Sequence, residues 1–303
     1  MTEVFPTTCA GKGYECRSCL ATIPAIHPTS GMGKAHKENA LISSVKRLMD
    51  WKDRRVRARD CPIYFQHIPK TAGVSVRTWL HSHYTDRLCP AWLADDLVRS
   101  TPEMLRNYQA FAGHFHSYLK QYLGRDLVTV TVLREPVART RSHWQHVRRA
   151  PEHPHHLRVL GQTFTDFVMD DLNRVMIEDY QARYLMKLPL SLSVMAGRYS
   201  DADPALPVLS EALEQTSLPL LKPELLKGAR AALKSMSVVG VTDRLHDFLV
   251  RVARVANVPS PAAQAVPRAN ASEQADAEEL SPAALRKLHD LTQIDREIYN
   301  AAI

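Results

Sequence analysis

The clearest pattern in the chain is the seven-residue run Leu127-Val128-Thr129-Val130-Thr131-Val132-Leu133, β-branched at most positions and without a charge. Such a run predicts a strand buried on both faces, as the central strands of parallel sheets are. Ile63-Tyr64-Phe65, Ala110-Phe111-Ala112-Gly113-His114-Phe115 and Ser237-Val238-Val239-Gly240-Val241 repeat the signal in shorter form. Between them the apolar period lengthens to that of helices. One is predicted over 74–83 (Val76, Trp79, Leu80) and further ones from 84 to about 109. A helix from Val137 to about Arg148 follows, then 163–171, 173–186, 223–234 and 244–257. A single last helix runs through Leu285, Leu288, Leu291, Ile294 and Ile298, with Ser281 as its N-cap and Pro282 at its first position. Strand, polar turn, helix, connection, strand, polar turn, helix is the grammar of an α/β protein. The expected architecture is a three-layer α/β/α fold with a central parallel β-sheet flanked by helices.

Residues 1–59 lack this order and read as an N-terminal extension, partly disordered, ending in the basic amphipathic stretch 41–59. Residues 60–303 read as one domain, with a His- and Pro-rich loop at 150–162, a loop-rich insert at about 187–222 and a further loop at 258–277. The 303 residues are 45% hydrophobic and 23% charged, an ordinary globular composition. Net charge is +7, which favours anionic partners without choosing among nucleotides, acidic sugars, nucleic acid and membrane headgroups. No apolar run reaches the ~18 residues of a membrane span, and the start lacks the pattern of a secretory signal. A cytoplasmic protein is expected. Five cysteines, an odd number, imply no disulfide framework. Cys9, Cys16 and Cys19 have zinc-like spacing, with only His27 and His36 to offer a fourth ligand.

Two strand ends carry the chemistry. The first strand empties into His67-Ile68-Pro69-Lys70-Thr71-Ala72-Gly73-Val74-Ser75, which leads into a helix. A turn of this kind points backbone N–H groups at one place, and the helix adds its positive end. Lys70, Thr71, Ala72, Gly73, Val74 and Ser75 therefore form a candidate anion cradle. It is P-loop-like in layout, although the Walker pattern is absent. The run 127–133 ends at Arg134, with Ser142 a little over two helical turns further on. A guanidinium fork and a hydroxyl make a second candidate phosphate site. A molecule with phosphates at both ends of a ribose would bridge the two, and adenosine 3′,5′-bisphosphate is one.

On these residues the chain resembles the carbohydrate-type sulfotransferases, the group with heparan 2-O- and chondroitin-type enzymes. The segment from His67 to Ser75 resembles their 5′-phosphosulfate loop. Val132-Leu133-Arg134-Glu135-Pro136, continuing to Ser142 and Trp144, resembles their 3′-phosphate motif, about 60 residues later. Gly113-His114-Phe115, Val238 to Arg244 and Leu280 to Tyr299 look like further segments. The resemblance covers 62–303, patchily between 150 and 235. Members often have Thr where this chain has Val74, so one hydroxyl toward the 5′-phosphate is missing. The resemblance implies a sulfotransferase using 3′-phosphoadenosine 5′-phosphosulfate, with a carbohydrate hydroxyl as the acceptor. Lipids, secondary metabolites and tyrosine stay open as acceptors.

Sulfuryl transfer needs charge stabilisation at the leaving oxygen, for which Lys70 is the candidate. It also needs a base for the acceptor proton. His114 is the first candidate, His116 the second and His67 the third. Arg139 and Arg141 flank the second phosphate motif and are expected as solvated helix charges, with contact of one of them to the cofactor or an acidic acceptor as the alternative. Arg268 and Asn270 are candidates for a loop over the nucleotide. The histidines at 153–156 could ligate a metal, but the chemistry calls for none. Two other readings remain. A nucleotide-dependent small-molecule kinase would need a magnesium carboxylate after a strand, and none is evident. A non-catalytic polyanion binder rests on the net charge alone, and the basic residues lack the interleaved aromatics of nucleic-acid binders.

Overall fold

A computed structural model describes residues 61–93, 96–97, 99–186, 222–262 and 279–303. The N-terminal extension with its cysteine cluster, the insert up to residue 221, and Arg268 and Asn270 lie outside the described residues.

Four parallel strands form one sheet: β1 (Ile63–Gln66), β2 (Ala110–Gly113), β3 (Val128–Leu133) and β4 (Val238–Val241), in the order β2-β1-β3-β4. Register pairs Ile63 with Ala110 on one side and with Val128 on the other, and Val130 with Val238. The helices that position the site are α1 (Gly73–Tyr84), α2 (Pro102–Leu105), α3 (Tyr118–Leu123), α4 (Pro136–Arg149), α5 (His156–Val159), α6 (Phe164–Met169), α7 (Arg174–Ile177) and α8 (Tyr180–Met186). They are followed by α9 (Lys222–Ser235), α10 (Leu245–Ala256), α11 (Pro282–Leu291) and α12 (Gln293–Asn300).

Both sheet faces are covered, which explains why the strands read as continuous apolar runs. Successive residues point to opposite faces. Ile63, Phe65, Ala110, Ala112, Val130, Val132 and Val238 pack with Val76, Trp79 and Leu80 of α1 and Phe248, Leu249 and Val252 of α10. Tyr64 and Phe111 point the other way, onto Leu105 of α2 and Leu119 of α3. Beyond them Leu133 and Val241 meet Tyr184 and Leu185 of α8, Leu225 and Ala229 of α9, and Ile294 and Ile298 of α12. The result is an α/β fold with a parallel sheet flanked by helices.

Several boundaries differ from expectation, for local reasons. The predicted helix 173–186 breaks at Asp179, whose φ is 39°, into α7 and α8. The single C-terminal helix breaks at Thr292, whose hydroxyl donates to the Leu288 carbonyl at 2.7 Å, giving α11 and α12. The Ser281 cap is present, accepting from the amide of Ala284. The 150–162 loop contains α5, and between 84 and 109 the described residues hold little regular helix beyond a 3₁₀ turn at Thr85–Arg87 and the single turn α2.

Chain order moves from β1 outward to β2, then back across β1 to β3 and on to β4. The order reverses between β1 and β3. A crevice opens at such a switch point beyond the carboxyl ends of the two strands, and ligands of open α/β sheets bind there. Lys70 and Arg134 follow those two strand ends.

Candidate active site

The first loop is held by unusual backbone. Lys70 (φ 71°) and Ala72 (φ 64°) both adopt the left-handed conformation, which costs a non-glycine residue about 1 kcal/mol or more. Two such residues in three turn successive N–H groups toward one point. Thr71 is fully buried between them. Its amide (3.3 Å) and hydroxyl (2.8 Å) both donate to the Ile68 carbonyl, so its hydroxyl holds the turn closed instead of facing a ligand. Ala72 is the N-cap of α1 and provides no side-chain cap, so the first-turn amides of α1 are left to whatever anion arrives. Val74, 47% exposed, stands at this entrance, while Ser75 is buried behind it. Gly73 has a steric reason: a Cβ there would lie 2.0 Å from the His67 ring.

The second strand end is built differently. The Glu135 carboxylate caps α4, accepting from the amides of Val137 (3.0 Å) and Ala138 (2.7 Å). That helix end is already neutralised, so an anion at Arg134 must rely on side chains; Ser142 lies half-buried two turns along the same helix. Arg134 reaches across the switch point and donates to the Lys70 carbonyl at 3.3 Å, joining the two loops directly.

Gln181, which the sequence reading did not single out, fixes the main chain of Arg134. Its fully buried amide accepts from the Arg134 N–H (2.9 Å) and donates to the Arg134 carbonyl (2.8 Å). Gln181 is itself held at the start of α8 by Asp295, which accepts from the amides of Gln181 (3.0 Å) and Ala182 (2.8 Å). Asp179 returns the favour, accepting from Ile294 (2.8 Å) and Asp295 (3.2 Å) at the start of α12. Two buried carboxylates thus cap each other's helices, and burial pushes the Asp295 carboxyl up to about 6.

Charge concentrates on this crevice. Burial, then Arg134, Arg139 and Arg149, pull the Lys70 ammonium down to about 8. Burial also lowers Arg134, with Asp243 and Glu135 opposing. Asp243 accepts from the Tyr299 hydroxyl at 2.8 Å and links the end of β4 to α12. Arg139 departs from expectation: it is fully buried, not solvated. Its guanidinium lies over Tyr180 (4.2 Å), donates to the Met176 carbonyl and sits 3.3 Å from His143 Nδ1. The ring face and these partners offset part of the loss of solvent, while the buried Nε has no hydrogen-bond partner. Arg141 packs over Phe164 at 4.3 Å.

Of the three candidate bases, His114 has the suitable setting. Its Nδ1 lies 3.0 Å from the His67 carbonyl and 2.9 Å from the Tyr184 hydroxyl. A carbonyl only accepts, so Nδ1 carries the proton and the lone pair of the neutral ring is on Nε2. His114 is half-buried, and its backbone is pinned by its amide donating to the Trp92 carbonyl at 2.8 Å. His116 is buried, with Nδ1 3.2 Å from the Tyr184 carbonyl and its ring 4.0 Å from that of Tyr184, a packed position. His67 is buried against Phe65, Trp92 and His114, 4.5 Å from the last, and both its ring nitrogens lack a hydrogen-bond partner. Burial first, then His114, Lys70 and Arg77, holds it neutral. It is the floor beneath Gly73, with Lys70 and His114 on its flanks.

Among the described residues no group of three or more His, Cys, Asp or Glu has the arrangement of a metal site, and no helix is long and apolar enough to cross a membrane. No family model matches the chain, and no curated protein does.

Proposed function

We propose that the protein is a sulfotransferase of P-loop-like fold that moves a sulfuryl group from 3′-phosphoadenosine 5′-phosphosulfate to an acceptor hydroxyl. The observation that carries this reading is the contact of Arg134 with the Lys70 carbonyl across the switch point of the sheet. A backbone anion cradle and a side-chain anion site then lie within one side-chain length, the spacing asked of a ligand with two phosphates on one ribose. The donor set fits such a ligand: uncapped amides of α1 with Lys70 at one end, and Arg134 with Ser142 at the other.

The bound donor supplies the sulfuryl group and a leaving phosphate. The acceptor O–H attacks sulfur, the sulfur–oxygen bond to the 5′-phosphate breaks, and the electron pair stays on the departing nucleotide. His114 Nε2 takes the acceptor proton, and the Nδ1 hydrogen bond to the His67 carbonyl steadies the resulting imidazolium. Lys70, on its left-handed backbone, places an ammonium beside the breaking bond. An anion there raises Lys70 above its present value of about 8 and keeps it charged. A carbohydrate acceptor is the family-level expectation. The small-molecule kinase reading gains nothing specific from the site, since the carboxylates at the strand ends, Glu135 and Asp243, are engaged by the amides of Val137 and Ala138 and by the Tyr299 hydroxyl.

Thermal denaturation tests the reading. Adenosine 3′,5′-bisphosphate should stabilise the protein strongly and ATP with magnesium little. The reverse order would favour the kinase.

A further inference from the structure

Beyond Ser142 the same face of α4 continues with His146 one turn on and Arg149 two turns on. The loop after α4 folds back over this face. The His153 ring comes 6.0 Å from both His143 and His146, and His155 comes 5.6 Å from His153. The fold-back is fastened by His156, whose Nδ1 donates to the Val147 carbonyl at 2.9 Å. His153 Nδ1 accepts from the His155 amide at 3.2 Å, so the proton of the neutral ring sits on Nε2. Lys70 lies within electrostatic reach of Arg149, His143 and His146. Glu152 is the carboxylate that faces these histidines; their other charged neighbours, Lys70, Arg139, His155 and His156, are basic, and Arg149 acts on Lys70 from the same helix. A group of basic side chains brought so close is repulsive until something anionic enters it.

We infer that His146, Arg149 and His153 form an additional anion-binding subsite next to Lys70, which accepts a phosphate or sulfate group and takes up protons as it fills. Burial and mutual repulsion hold the empty histidines neutral, and His153 is down to about 4. An oxyanion between them reverses the repulsion and favours imidazolium, so binding and protonation are linked. Arg149 supplies the part of the attraction that does not change with pH. The occupant is a dianionic oxyanion, from the nucleotide or from an acidic acceptor. Only the choice between these sources rests on the sulfotransferase reading.

Sodium sulfate is a suitable probe because its charge is constant between pH 6 and 8. The thermal stabilisation it gives over sodium chloride of equal ionic strength should be at least about twice as large at pH 6 as at pH 8. His146→Asn/His153→Asn should lower that ratio, leaving only the smaller difference that Lys70, at about 8, contributes as it loses charge toward pH 8. Arg149→Gln should weaken the effect at both while keeping its pH ratio. All three side chains are partly or largely exposed, so the variants keep the fold. No stabilisation by sulfate, equal stabilisation of the wild type at both pH values, or an unchanged ratio in the double variant would overturn the inference. Repeating the titration with saturating adenosine 3′,5′-bisphosphate separates the sources. If the sulfate response disappears, the nucleotide fills the subsite; if it persists, the subsite serves an acceptor-borne anion. If the nucleotide fails to bind while the histidine-dependent sulfate response remains, the proposed function falls and the subsite stands.

Discussion

Replacing Gln181 by Leu isolates the part of the site that holds Arg134 in place. The side chain is buried and makes two hydrogen bonds, at 2.9 and 2.8 Å, to the N–H and C=O of Arg134. Each is worth about 1 kcal/mol net, and leaving both main-chain groups half-buried without partners adds roughly another 1 kcal/mol. The expected loss is about 3 kcal/mol, against a total stability on the order of 5–15 kcal/mol. For a domain of this size it corresponds to a fall of roughly 6–12 °C in Tm. The loss should be visible as a lower urea midpoint at constant m-value. Gln181→Glu keeps an acceptor for the Arg134 N–H but loses the donor, and should fall between wild type and Leu. Ligand affinity gives a sharper readout. With its main chain released, Arg134 should lose about tenfold for adenosine 3′,5′-bisphosphate, the equivalent of ~1.4 kcal/mol, while AMP, which lacks the 3′-phosphate, changes little. An unchanged urea midpoint, or equal losses for the two nucleotides by calorimetry, would refute the assignment.

Further outcomes are expected. Gly73→Ala forces a methyl onto the His67 ring, where 2.0 Å separates them; overpacking should cost about 1–3 kcal/mol and weaken nucleotide binding, and His67→Ala in the same chain should restore part of both. His114→Ala should keep stabilisation by adenosine 3′,5′-bisphosphate and lose turnover in a sulfate-transfer assay; retained turnover would place the base elsewhere. Val74→Thr, at the exposed entrance of the cradle, should tighten nucleotide binding without a change in urea midpoint, since it returns a hydroxyl without disturbing the core. Acid should destabilise the unliganded protein. His67 and His143 are held well below the ordinary histidine value by burial, so the unfolded chain binds protons that the folded chain refuses. Stability then falls as pH drops below about 6.5, by up to ~1.4 kcal/mol per pH unit for each such histidine. Asp295, raised to about 6, works in the opposite sense over about pH 4–6, because the folded chain is the one that holds its proton. Asp295→Asn should therefore steepen the acid loss, read as urea midpoints at pH 7.5 and 5.5.

The parallel sheet was legible because its strands are covered on both faces, and such strands advertise themselves as uninterrupted apolar runs. Lys70 and Arg134 were legible because each follows such a strand directly. What the sequence hid was long-range. Gln181 is an ordinary polar residue in a helical stretch, and nothing local says that its amide will pair with Arg134, 47 positions away. Asp179 and Asp295 carry a weak local signal, an acidic residue at a helix start. The apolar period continues across Asp179 and Thr292, so the sequence pattern predicts unbroken helices there. Arg139 hides its burial for a related reason: a charge on an amphipathic helix looks solvated until Tyr180 and Met176 close over it. His114 was found by its place at a strand end, but its tautomer depends on Tyr184 and the His67 carbonyl, which only the tertiary structure brings to it.

The central claim is that Lys70 and Arg134 form two halves of one clamp for a nucleotide phosphorylated at both 3′ and 5′ positions. Calorimetric titration of the wild-type protein and Arg134→Ala with adenosine 3′,5′-bisphosphate and with AMP tests it most directly. The wild type should bind the bisphosphate at least about 100-fold more tightly than AMP, and Arg134→Ala should bring the two nucleotides to within a few-fold of each other, a loss of about 3 kcal/mol specific to the 3′-phosphate. Equal affinity of the wild type for the two nucleotides, or a preference for the bisphosphate that survives in Arg134→Ala, would contradict it.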